Sequence, residues 1–141
     1  MKQIEDQRPL ETMLDEFQAT FQTPNTPEFW AKLVREERDE LLQAAAELLK
    51  EFCDLGYVIQ GFLNANDGIA TPEMYELLAP CEKAVRMVET LDREITIKAA
   101  HRLHYNNMSK VQPDGTVKRR EDGKVLKPEG FVPLDLTDLV R

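Results

Sequence analysis

Val34–Phe62, "VREERDELLQAAAELLKEFCDLGYVIQGF", carries a regular apolar pattern and a regular acidic one, and how they interleave decides the fold. Upstream and at its start, Trp30, Leu33, Val34 and Leu41 form one helical stripe. Glu37 falls in the slot that stripe would fill between Val34 and Leu41, so a carboxylate takes a core position. Further on, Leu48, Phe52, Leu55, Ile59 and Phe62 recur at alternating spacings of four and three, the seam of packed helices. The small residues Ala44 to Ala46 are read as a reversal between two antiparallel helices. That hairpin sets Glu40 against Glu51, with Glu36, Glu37, Glu47 and Asp54 close by.

Carboxylates packed this closely repel, and the cost rises as the dielectric falls. Either some protonate or a cation neutralises them. Oxygen-only ligands suit Mg²⁺ or Mn²⁺, and Mg²⁺ keeps waters while binding substrate phosphates. Glu47 is the weakest member, since it also suits a helix cap. The plain alternative is a solvated acidic face, which "EERDE" alone would suggest. A second acidic pair at i and i+3, with one acid inside an apolar stripe, favours the cation site.

Outward from this stretch the chain reads as helical. "PLETMLDEFQATFQ" places Leu10, Met13, Leu14, Phe17 and Phe21 at helical spacing behind Pro9. Thr26, Pro27 and Glu28 give a cap, a first-turn proline and a dipole-matched acid, so the next helix starts near Pro27. "NANDG" ends the helical stretch, Thr71 and Pro72 restart it, and Pro80 interrupts it. Cys81 to about Tyr105 reads as one long helix through Val85, Val88, Leu91, Ile95, Ala99 and Leu103. From Asn106 two Asp-Gly signals, prolines and short β-branched runs predict an extended arm with one small hairpin. The expectation is an all-α fold, a bundle of four to five helices in a single domain over 1–141. Residues 1–105 form the helical core and 106–141 the C-terminal arm.

Composition narrows the function. The 141 residues carry 18 basic and 26 acidic side chains, net −8, which argues against nucleic-acid binding through phosphate attraction. No apolar run approaches the roughly 20 residues a membrane span needs, and the start "MKQIEDQRPLETM" lacks a signal peptide's apolar core. A cytoplasmic protein is expected. Cys53 and Cys81 lack metal-site spacing and read as small core residues. The arm is the exception in charge. Between His101 and Gly130 seven cations stand against four acids, a net +3 that leaves −11 elsewhere. A basic segment on an acidic body has reason to fold back, with Asn107, Ser109 and Lys110 donating to phosphate oxygens and Arg120, Lys124 or Lys127 holding a departing pyrophosphate. The alternative is a solvated tail. His104 is left open between a packing role and a base or phosphate contact; His101 reads as surface, Trp30 and Tyr57 as core.

The pattern Glu36-Glu37-x-x-Glu40 followed by Glu51-x-x-Asp54 resembles the EExxE…ExxD signature of the all-α nucleoside triphosphate pyrophosphohydrolases. This MazG-like superfamily also includes phosphoribosyl-ATP pyrophosphohydrolases and dimeric dUTPases. The continuation "LGYVIQGF" looks like that family's second signature helix. "HYNNMSKVQPDGTVKRREDGKVLKP" is similar to the C-terminal pattern of phage-type and bacterial MazG-like proteins. The interval between the two acidic motifs is shorter here than is usual in the family.

The resemblance implies hydrolysis of a (deoxy)nucleoside triphosphate to the monophosphate and pyrophosphate, with Glu36, Glu37, Glu40, Glu51 and Asp54 as the metal-site acids. It also implies a homodimer or homotetramer. Glu37, the acid read as most interior, is nominated to orient or deprotonate the attacking water. The competing class is a noncatalytic helical module, either holding a structural cation or docking a partner through its basic arm. Nothing in the residues selects a nucleobase.

Overall fold

The computed structural model describes residues 8–141, and among these the fold is all-α. Five helices follow in order: α1 Leu10–Phe21, α2 Pro27–Ala65, α3 Pro72–Leu78, α4 Glu82–Glu89 and α5 Arg93–Met108. Single 3-10 turns lie at Ala79–Cys81 and Thr137–Leu139. The chain divides into two compact units, one ending at Glu40 and one spanning Leu41–Arg141, so the boundary falls inside α2. None of the helices is long and apolar enough to cross a membrane.

Helix α2 corrects the expected hairpin. Its 39 residues run without a break through Ala44–Ala46. Leu41 to Leu49 contains only Leu, Gln, Ala and Glu, among the strongest helix formers, and no Gly, Pro or Asn that could reverse the chain. The short interval between the acidic motifs leaves no residues for a turn. Alanine's small size suits a bend, but its backbone preference makes it the best helix continuer.

The start of α2 follows local rules. The Thr26 hydroxyl accepts from the Phe29 amide at 3.3 Å, and Pro27 holds the first helical position. In this first unit the Asn25 side-chain oxygen accepts from the Trp30 indole at 3.3 Å and from Gln18 at 3.2 Å. α1 buries none of its residues. The helix α2 ends where Asp67 and Gly68 take positive φ, and the Gly68 amide closes the end on the Leu63 carbonyl at 2.8 Å.

The long helix expected from Cys81 to Tyr105 is two helices. Asp92 caps α5, its carboxylate accepting from the Glu94 amide at 2.7 Å. The apolar period of Val88, Leu91 and Ile95 continues across this break and conceals it. Asp92→Ala should cost about 0.5–2 kcal/mol of stability, read by urea unfolding.

The core of the second unit is Ala46, Leu49, Cys53, Val88, Ala99, Leu103 and Leu136. Burial first, and then the neighbouring Asp54 charge, pushes the Cys53 thiol pKa up. Cys81 is half-buried and its thiol donates to the Leu78 carbonyl.

The segment after α5 is irregular, with two local turns. The Asp114 carboxylate accepts from the amide and hydroxyl of Thr116 at 3.0 and 2.6 Å. Around Asp122-Gly123 an antiparallel bridge pairs Arg119 with Val125, flanked by amide bonds from Arg120 to the Lys124 carbonyl and from Leu126 to the Lys118 carbonyl, both 2.8 Å. The last residues return to the core. Leu136 is 2% exposed, and Leu134, Leu139 and Val140 pack beside it.

A bidentate pair from Arg102 to Asp138, at 2.8 and 3.0 Å, clasps this return. The hydrogen bond from Arg102 is the main cause holding the Asp138 carboxyl below its ordinary pKa. A depressed carboxylate contributes stability that is complete above its unfolded pKa and is lost as pH falls through the folded one. The gap in urea midpoint between wild type and Asp138→Asn should therefore be present at pH 7 and close as the solution is acidified below the usual carboxylate range.

Candidate functional site

Glu36, Glu37 and Glu40 lie in the first unit, on the early turns of α2, and all three are exposed. Glu36 pairs with Lys32 at 3.8 Å, while neither Glu37 nor Glu40 forms an ion pair among the described residues. The expected core position of Glu37 is corrected. Val34 and Leu41 on either side of it are 65% and 69% exposed, so that stripe is a surface rather than a seam.

Glu51 and Asp54 lie in the second unit. Glu51 is exposed and reaches Lys50 at 3.9 Å; Asp54 is half-buried beside Cys53. Glu47 is exposed and accepts from Gln43 at 3.0 Å. Among the described residues no three His, Cys, Asp or Glu side chains are grouped so as to hold a metal ion. The carboxylate chemistry of these side chains suits Mg²⁺ or Mn²⁺.

The arm cations have local partners. Lys110 donates to the Asn107 side chain at 2.9 Å, Ser109 donates to the Asn106 carbonyl at 2.6 Å, and Arg120 pairs with Asp122. That pairing is the main reason the Asp122 carboxyl lies below its usual pKa. Lys127 stands 5.3 Å from the centre of the Phe131 ring. Lys124 uses its backbone amide on Asp122 at 3.1 Å. Within the second unit, no ion pair among the described residues joins these cations to Glu47, Glu51 or Asp54. Asp122 satisfies Arg120 locally.

Tyr57, expected in the core, is 46% exposed, and it meets His104, whose role the sequence leaves open, across α2 and α5 with hydroxyl and Nδ1 3.0 Å apart. Forty-seven positions separate them, so only the packed pair of helices makes the contact visible.

No family model, characterised protein or solved structure matches the chain. The functional reading therefore rests on the chain's own residues and their likeness to the acidic signature. One feature the sequence did not single out is a cavity of about 480 Å³ in the second unit, where Phe52, Leu55 and Ile59 of α2 face Tyr75 of α3 and Glu82 and Val85 of α4.

Proposed function

We propose that the protein is a metal-dependent nucleotide pyrophosphohydrolase, converting a (deoxy)nucleoside triphosphate to the monophosphate and pyrophosphate on a helical bundle of the MazG-like type. The observation that carries the reading is the arrangement of acids along one continuous helix. At about 100° per residue, Glu36, Glu37 and Glu40 share one sector of the early turns of α2, and Glu47, Glu51 and Asp54 likewise share a sector of the later turns. Lys32 and Lys50 offset Glu36 and Glu51, and a divalent cation would neutralise the acids left without a lysine.

Glu40 and Glu51 are about three turns apart on that helix, so the two acid groups meet only across a second copy. Two α2 helices packed antiparallel and crossing near the exposed Ala44 would set Glu37 and Glu40 of one chain against Glu51 and Asp54 of the partner subunit. Homo-oligomerisation is thus part of the proposal.

Glu37, Glu40, Glu51 and Asp54 would hold a hard divalent cation, which when bound would supply charge neutralisation on the triphosphate and a water of lowered pKa. Glu37 orients the water and takes its proton as the oxygen attacks the α-phosphorus in line. The bond from the α-phosphorus to the bridging oxygen breaks, and pyrophosphate leaves. Asn107, Ser109 and Lys110 donate to phosphate oxygens, with Arg120, Lys124 and Lys127 steadying the departing group.

A panel of nucleotides assayed for pyrophosphate release with and without Mg²⁺ or Mn²⁺ tests this. The competing reading, a noncatalytic module, is favoured by the lysine pairing of Glu36 and Glu51. It predicts no turnover of any nucleotide at enzyme excess.

A further inference from the structure

The cavity between α2, α3 and α4 lies wholly within the second unit, and its volume of about 480 Å³ falls in the range that encloses small ligands. Its walls are apolar and aromatic, with Phe52 and Tyr75 available for stacking. One charged side chain, Glu82, lines it. The Glu82 carboxylate is held by the guanidinium of Arg86 at 2.6 Å, one turn along α4.

We infer that this cavity is a nucleobase site with a preference for guanine. A carboxylate has two acceptor oxygens and no donor, so it pairs best with two adjacent N–H groups. Guanine presents them at N1 and N2. Adenine offers one such donor group beside a bare N1, and uracil and thymine one N–H between two carbonyls. Of these bases guanine alone offers Glu82 two adjacent N–H donors, while Arg86, exposed and outside the cavity lining, holds the carboxylate from the solvent side. Flat apolar walls take the purine faces, and Gly56 on the α2 side adds no side-chain bulk.

The inference deepens the hydrolase reading, because Phe52 and Leu55 alternate along α2 with Glu51 and Asp54. A base seated here leaves its sugar and phosphates on the same stretch of helix as those two acids.

The test is nucleoside binding without metal or turnover, followed by NMR titration of the full chain with guanosine, inosine, adenosine and uridine. Guanosine should bind about tenfold or more tightly than inosine, which lacks the N2 amine. Glu82→Gln should erase that gap, and Leu55→Trp, which fills the cavity, should weaken all four nucleosides. Equal binding of guanosine and inosine, a guanine preference that survives Glu82→Gln, or no nucleoside binding at all would each overturn the site. Guanosine binding without any triphosphate turnover would instead sink the hydrolase reading and leave the pocket standing.

Discussion

Glu37→Gln is expected to lower pyrophosphate release by about 10²–10⁴-fold, the usual effect of removing a positioned general base. The change is isosteric and falls on an exposed side chain, so the fold has no reason to respond. Asp54→Asn acts differently. Losing a ligand oxygen should raise the Mg²⁺ concentration for half-maximal rate by about tenfold or more, and excess Mg²⁺ should recover part of the rate. Glu28→Gln serves as control, since Glu28 stands on the first turn of α2, outside the acidic strip. The assay compares the three variants over a Mg²⁺ series, with thermal unfolding to confirm an unchanged fold. If Glu37→Gln and Asp54→Asn turn over substrate like Glu28→Gln, the carboxylate strip is a solvated face and the enzyme reading is lost.

The pairing of α2 with a second α2 makes a further demand on the same data. Mixing Glu37→Gln chains with Asp54→Asn chains should restore part of the rate, because one of the two cages in a mixed dimer then holds only native acids. A site contained in one copy gives no such recovery. The complementation separates a shared cage from a private one without changing any residue beyond those already tested.

Local chemistry made the ends of elements legible. Pro27 and Pro72 announce their helices because a first-turn proline loses no hydrogen bond. Asp67-Gly68 and Asp122-Gly123 announce turns because Asp67, Gly68 and Gly123 take positive φ. What stayed hidden was decided by competition between signals. Ala44–Ala46 has the side chains of a close crossing and the backbone preference of an uninterrupted helix, and the backbone prevails. Asp92 breaks a run whose apolar period never falters, so a cap hydrogen bond outweighs periodicity.

For the site, the types and spacing of the acids were plain, but burial was not. Glu37 lies in a stripe, yet a stripe is a seam only if something covers it. Exposure of Val34 and Leu41 answers that within one chain. The cavity beside Glu82 is illegible in sequence for a related reason, since its walls come from three helices whose packing no single stretch encodes.

Leu136→Ala should destabilise the protein by about 2–5 kcal/mol, although it lies near the end of a segment read as an appended arm. "FVPLDLTDLV" has no helical period and no strand partner, so sequence alone gives it nothing to bury against. In the fold Leu136 is 2% exposed among Leu49, Val88 and Leu103, and truncating it leaves a void that rigid helices cannot fill. Leu126→Ala is the comparison. Leu126 is 40% exposed beside the Asp122-Gly123 turn, so its loss should fall within about 0.5 kcal/mol. Urea unfolding of the two variants separates a tail from a core strap, because a tail makes both changes small. A large loss at Leu136 alone means that the cations from Lys110 to Lys127 sit on a loop anchored at both ends, by α5 and by the core. Anchoring at both ends lowers the entropy cost of presenting those cations to a triphosphate.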